Sequence, residues 1–429
     1  MITSLNNSLL QILVLALVGG LIGEFINWAI YRWGYRKWSY SPWSRPIAGT
    51  EHRKLTDYVP VFGWLGLRRN TPTHGALFWL RPLIIELVWT IGLPCFFLWE
   101  LQGGLVGFQT VPEASWGEIW FWGHSILIGL MFIATFIDFD QRLIPDWITV
   151  PGTLIGLAIA SLLPSFRLPV LVSGLRTTPT IENLTFMSPD PLTSWQSSFS
   201  GCFVGSLLFS VWIFALYPKI FPNRWRLHSL IFMGASMIRV WQRKSLKVRR
   251  YFRTQAIMMT TIWIVGIILL PAVWLYLPEH IDSLFGALVG LAFAGMLVWL
   301  IRIIGSHALG QEAMGFGDVT LLAMIGTFLG WQAALLIFAF APFAGLAVTA
   351  ANFIFTRDNE LAFGPYLCIS ALGVILFWSH VWPWAENGVF SVGPKFLFTI
   401  LLASLILFAA MLFVLRLAKG KSSSITETG

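Results

Sequence analysis

The sequence predicts an all-α fold, a polytopic bundle of transmembrane helices, on three observations. Apolar residues make up 56% of the 429 residues and charged ones only 11%, whereas a water-soluble domain carries about 25% charged residues. Such a chain cannot cover its folded surface with polar groups and needs lipid. Long apolar runs recur from one end of the chain to the other, and a spanning helix requires about 20 mostly apolar residues. The basic residues cluster between these runs, a pattern that in a membrane protein reports orientation.

The candidate spans are 9–31, 83–99, 120–137, 148–164, 199–217, 257–277, 284–304, 319–329, 333–354, 364–379 and 395–416, about eleven in all. The first has no basic leader and no small-residue cleavage site, so it is expected to be an anchor. The segment behind it, 32–82, carries Arg32, Arg36, Lys37, Arg45, Arg53, Lys54, Arg68, Arg69 and Arg81 against Glu51 and Asp57. By the positive-inside rule this segment is cytoplasmic and the N-terminus lies outside. Alternation then puts 100–119 outside, where Glu100, Glu113 and Glu118 occur without Lys or Arg. It puts 218–256 inside, with ten basic residues including Arg243, Lys244, Lys247, Arg249, Arg250 and Arg253. The tail with Arg416, Lys419 and Lys421 is also cytoplasmic.

The net charge of +8 follows from this orientation and does not imply nucleic acid. Cys95, Cys202 and Cys368 are far apart in apolar runs, so they read as small buried hydrophobes and not as a disulfide framework or thiolate metal site. Residues 198–205 and 283–290 share small residues four apart at the start of a span, including Gly201, Gly205, Gly286 and Gly290. Close helix packing in lipid accounts for this as well as internal duplication does.

Two segments carry chemistry. Phe136-Ile-Asp138-Phe-Asp140-Gln-Arg142-Leu-Ile-Pro145-Asp146 joins two spans on the cytoplasmic side, and Gly315-Phe-Gly317-Asp318 opens another span on the same side. A carboxylate at membrane depth is costly, at least ~2.5 kcal/mol, so Asp138 is a functional candidate. Two carboxyls brought together there share one proton. One can then activate water while the other protonates a scissile carbonyl. The glycines beside Asp318 allow a substrate backbone to approach. Each segment also has a plain structural reading: Asp318 and Asp146 as helix N-caps, and Asp138 and Asp140 as interfacial charges at a helix end.

Together the two segments resemble the prepilin leader peptidases, a family of GxGD-type membrane aspartyl proteases that carry Ile-Asp…Leu-Pro-Asp after one span and Gly-x-Gly-Asp before a later one. Three further stretches are similar to the family: Gly23-Glu-Phe-Ile-Asn27 with Tyr31-Arg32, Asp57-Tyr-Val-Pro60 with Trp64, Arg81-Pro and Glu86, and Phe363-Gly364-Pro365-Tyr366. The resemblance covers roughly 1–165 and 282–416 and implies that Asp138 and Asp318 are the catalytic pair. Gly315, Gly317, Pro145, Asp146, Gly364 and Pro365 would support them or let substrate approach.

The resemblance divides the chain into an N-terminal region 1–119, a peptidase membrane domain 120–416 interrupted by an insertion at 165–281, and a polar tail 417–429. The insertion brings two spans, an even number, which leaves Asp138 and Asp318 on one face. By the resemblance the protein would cut the short basic leader of type IV prepilin-like or pseudopilin-like precursors at the bacterial cytoplasmic membrane. Its partners would be the lipid bilayer and these precursors. Proteolysis needs no cofactor, and S-adenosylmethionine enters only if the family's N-methylation is retained. Relatives with that activity usually carry two CxxC pairs in the first cytoplasmic loop, where this chain has Thr71 and His74. With His52 these leave a tetrahedral ion short of ligands, so no metal is expected. The competing readings are an inactive assembly scaffold and an ion-coupled transporter, the latter requiring ionisable residues scattered along several spans.

Overall fold

The protein is seen as a computed structural model. It describes residues 2–35, 42–43, 52–107, 114–172, 180–190, 194–217, 246–309, 312, 314–355, 363–393, 396–397, 399–407 and 410–411. The helices in chain order are α1 (Ile2–Ala29), α2 (Phe62–Leu67), α3 (Leu80–Leu101), α4 (Ala114–Gln141) and α5 (Asp146–Leu162). A hairpin of β1 (Pro169–Val172) and β2 (Thr180–Asn183) follows. Then come α6 (Phe199–Leu216), α7 (Leu246–Tyr276), α8 (Ile281–Leu309), α9 (Phe316–Leu329), α10 (Trp331–Phe355), α11 (Gly364–Leu376) and α12 (Trp378–Ala385).

Among the described residues seven helices are long and apolar enough to cross a bilayer, or eight if one bent pair counts as a span. The candidate spans from 9–31 to 364–379 each fall on a helix, but not every one is a straight crossing. The span expected at 364–379 ends at Leu376, where the chain folds by 91° into a second helical stretch reaching Phe390. α5 and α9 are apolar but short. The basic loop 218–245, the side chains of 246–253, and the tail with Arg416, Lys419 and Lys421 lie outside the described residues.

α9 explains how a short helix can serve. Its 14 residues rise about 21 Å, less than the ~30 Å hydrocarbon core. Every residue from Asp318 to Leu329 is buried, because α4, α5, α8, α10 and α11 pack around it. It meets protein on all sides and has no need to match the lipid. Small residues permit the closest of these contacts: a Cβ on Gly290 would stand 2.0 Å from the Gly326 carbonyl oxygen. Of the two glycines four apart at the start of α8, Gly290 allows this helix contact, while Gly286 makes room for the Arg167 guanidinium.

Among the described residues three apolar clusters result, the smallest being Trp64, Leu67 and Leu83. The largest joins α1, α3, α4, α9, α10 and α11. The second gathers Val150, Leu157, Phe209, Ile213, Leu284, Leu288 and Ala323 from α5, α6, α8 and α9, with Met259 and Leu270 of α7. α6 and α7 thus form a flank, and α7 leaves most of its surface outward, with 17% of its most apolar stretch buried. The three cysteines divide: Cys368 is buried, Cys202 is half-buried, and Cys95 is exposed. The expectation of three buried thiols holds at Cys368, is met only in part at Cys202, and fails at Cys95, which lies on the outward face of α3.

The β-hairpin, paired antiparallel with Val170 opposite Glu182, was not legible in the sequence because its strands are four residues long. It belongs to a connecting segment held down by indoles. Trp120 donates to the Ser165 carbonyl, Trp378 to Pro169, Trp331 to Phe186 and Trp274 to Gln196, at 2.7–2.9 Å. Amphipathic Trp rings favour a membrane boundary, where the ring stays apolar and the N–H finds a partner.

Candidate active site

Asp138 lies in the last turn of α4 and Asp318 in the first turn of α9. They are 180 positions apart in sequence, yet the charge of Asp138 acts directly on Asp318. Both are buried, with 5% and 7% exposure. Three helix ends converge here, and the convergence has a physical basis in the residues around it.

The connection after Asp138 leaves α4 through Arg142, whose φ of 53° breaks the helix, and brings Ile144 back under the aspartates. Ile144 is buried. A Cβ on Gly317 would stand 2.8 Å from Ile144 Cβ, and one on Gly364 would stand 2.8 Å from Ile144 Cδ1. One side chain therefore spaces the starts of α9 and α11, and both neighbours must be glycine to allow it. The same imaginary Cβ on Gly364 would lie 2.5 Å from Asp138 Oδ2.

With no side chain in the way, the Gly364 backbone N–H donates to Asp138 Oδ2 at 3.1 Å. Asp138 thereby faces the positive end of α11, which Pro365 starts from its first turn. The Asp318 carboxylate accepts from the Gly315 backbone N–H. Cys368 of α11 lies within the field of both carboxylates, and its thiol bonds Thr135 of α4.

The plain capping readings are corrected in detail. Gly315 occupies the cap position of α9 and Asp318 is its third residue, so the carboxylate reaches back to the cap instead of being the cap. Pro145 is the cap residue of α5 and Asp146 its first helical residue, where a carboxylate favours the helix N-terminus. Asp140, two residues beyond Asp138, turns the other way. It pairs with Arg81 of α3 at 2.6 Å, and the Arg81 guanidinium lies 4.6 Å from the centre of the Phe136 ring.

The structure thus assembles Asp138, Asp318, Gly315, Gly317 and Gly364 into one cluster, with Pro365 at its edge, and puts Pro145 and Asp146 next to it in the chain. Sequence reading missed Ile144, Thr135 and Cys368. Ile144 stood inside the Ile-Pro-Asp segment, and its size and position before Pro145 were the available signal. Of the loop histidines, His74 packs against Phe78 with ring centres 4.9 Å apart and the rings tilted by 52°. Burial, then the Arg53 charge, pushes its pKa below the ordinary imidazole value. Among the described residues no group of three His, Cys, Asp or Glu side chains converges to hold a metal ion.

Comparison with known proteins bears on this cluster. The type IV leader peptidase family matches residues 252–350, a segment that contains Gly315–Asp318, stops short of Gly364, and begins inside the stretch read as an insertion. The chain is 36% identical over 99 residues to a prepilin leader peptidase/N-methyltransferase of Pectobacterium carotovorum subsp. carotovorum, covering 22% of this chain and 34% of that protein. It is 30% identical over 131 residues to one from Pseudomonas putida, covering 30% and 43%, and 33% identical over 124 residues to one from Pseudomonas aeruginosa, covering 26% and 41%. The chain therefore spans about a third to two fifths of the length of these relatives. No solved structure matches it. Over residues 252–350, the chain is similar to the type IV leader peptidase family.

Proposed function

We propose that the protein is a membrane aspartyl endopeptidase that cuts the leader of type IV prepilin-like precursors at the inner face of the bacterial cytoplasmic membrane. The observation that carries this reading is the convergence of Asp138 and Asp318, both buried where three helix ends meet around Ile144 and Gly364. Two coupled carboxyls titrate as a pair, so one is ionised while the other holds a proton. The ionised carboxylate takes a proton from water as its oxygen attacks the scissile carbonyl. The protonated carboxyl gives its proton to the carbonyl oxygen, forming a gem-diol. The first carboxyl then gives its proton to the amide nitrogen, the C–N bond breaks, and a gem-diol hydroxyl proton passes to the second carboxylate, which restores the singly protonated pair. Gly364 positions Asp138 in this scheme, and Gly315 positions Asp318.

Proteolysis in this scheme needs neither metal nor cofactor, and S-adenosylmethionine is required only if N-methylation of the new terminus follows. The names of the relatives favour neither the scaffold nor the transporter reading. The test is mass spectrometry of a type IV prepilin incubated with the purified protein in lipid. A shortened precursor that disappears with Asp138→Asn and with Asp318→Asn supports the proposal, and added methyl mass reports the second activity. An uncut precursor with a correctly folded wild-type chain would overturn it. Activity and zinc content before and after chelation test the metal-free scheme: loss of stoichiometric zinc together with cleavage would refute it.

A further inference from the structure

The chain between α1 and α3 is basic and reads as a cytoplasmic loop, yet it carries four outward apolar side chains within eleven positions. Leu55 is 89% exposed, Val59 46%, Phe62 68% and Leu65 44%. What covers them is decided by depth. Pro60, between Val59 and Phe62, packs where α1 and α3 touch: a Cβ on Gly20 would lie 3.0 Å from Pro60 Cβ and 3.2 Å from Thr90 Oγ1. The inner end of α3 is marked by Arg81, paired with Asp140 at the end of α4. Thr90 is nine residues further along, about 13 Å at the helical rise. Gly20 is nine residues before Ala29, and the helix runs on through a π-helical stretch to the end of the span at Gly34, so Gly20 is at least as far from the inner end of its helix. At this level the outward residues of the two helices are Leu17, Leu21, Val88 and Ile91, all exposed, as expected of surfaces in lipid. Pro60 therefore lies at the depth of acyl chains.

Irregular backbone at that depth persists only where protein satisfies its polar groups, and here it does. Val61 has φ 68° in a tight turn, with the Phe62 N–H donating to the Pro60 carbonyl at 2.8 Å. The Val61 N–H, pointed away from that turn, donates to Glu86 Oε2 at 2.6 Å. The Trp64 indole donates to Glu86 Oε1 at 2.6 Å, and Asn27 of α1 donates to the same oxygen at 3.0 Å. The buried Asp57 pairs with Arg69 and accepts the Lys54 N–H. Lys54 enters and Arg68 leaves the segment, both exposed, as suits the anionic headgroup level.

We propose that residues 55–67 form a re-entrant segment that dips into the inner leaflet, with Val59 and Phe62 against lipid acyl chains and Lys54 and Arg68 at anionic headgroups. The proposal rests on α1 and α3 being spans and is independent of the proteolytic reading. The test uses the full chain in phosphatidylglycerol-containing vesicles, with Cys95, Cys202 and Cys368 replaced by Ala. Spin labels are attached at Phe62→Cys, Val59→Cys, Leu21→Cys as the lipid reference and Lys54→Cys as the aqueous one. Each variant must first elute with the parent chain. The expected result is a ratio of oxygen to nickel-chelate collisions at position 62 that matches position 21 and is several-fold above position 54. Position 59 gives a second reading should position 62 perturb folding. Chelate access at 62 and 59 equal to that at 54 would overturn the proposal. So would shielding of both positions from both reagents, since that indicates a protein partner.

Discussion

Two buried carboxylate sites stand in this molecule, and they are built in opposite ways. Glu86, on α3, is surrounded by donors: the Val61 backbone, the Trp64 indole and the Asn27 amide all point at it. Asp138, on α4, receives one backbone N–H, from Gly364, and faces a second carboxyl instead of a cation. Three donors take up most of the roughly four acceptor sites of a carboxylate, which holds it in place and makes it a poor proton acceptor, and removing it strands its partners. A carboxylate left with one donor and a like neighbour is poised to exchange a proton. The difference teaches that burial by itself does not mark a reactive acid. The count and kind of partners do.

The comparison breaks first at the pair itself. Asp138→Asn and Asp318→Asn should each lower precursor cleavage about 10³-fold or more, equivalent to about 4 kcal/mol of barrier, while membrane insertion and thermal stability stay unchanged. Cleavage assayed with matched protein amounts checks this, and an active Asp138→Asn with an inactive Asp140→Asn would move the assignment within the motif.

Next is the single donor. Gly364→Ala drives a methyl group to 2.5 Å from Asp138 Oδ2 and into Ile144. Displacement of the carboxylate should cost about 10²-fold in kcat, with KM little changed, as expected for a positioning defect. A variant that cleaves normally would show that this contact relaxes without consequence.

The donor-rich site should behave in the reverse sense. Glu86→Ala strands the Val61 and Trp64 donors, and should lower stability by about 2 kcal/mol. Cleavage per folded molecule should remain within a few-fold. Thermal unfolding in detergent alongside the cleavage assay separates the two, and a catalytic collapse with unchanged stability would make Glu86 part of the chemistry.

The smallest effect belongs to the partly exposed pair of Arg81 and Asp140. Asp140→Asn should change stability by less than about 1 kcal/mol and leave most cleavage intact. A loss as large as that of Asp138→Asn would erase the distinction between the inward and outward acids of this segment.

The two sites also differ in how far they could be read in advance. Asp138 and Asp318 were legible as candidates because a carboxylate at membrane depth is costly, and Gly-x-Gly before an acid is a sparse pattern. Glu86 was visible only as part of a resemblance. Its role depends on Val61, Trp64 and Asn27, residues whose types say nothing of a shared acceptor. Ile144 was hidden for a similar reason: a buried Ile between two glycines of different helices leaves no periodic trace.

By itself the sequence determined the class of fold, the order of most helices and the identity of the candidate acids, since apolar run length, charge placement and short motifs are local properties. The tertiary structure decided what depends on distance across the chain. It showed that α9 can be shorter than the bilayer because protein encloses it. It showed that α6 and α7 flank the domain, and that Leu376 ends in a 91° fold. It also placed Pro60 against Gly20. Each of these follows from which surfaces pack together, and packing partners are chosen by shape and donor geometry that no single segment contains.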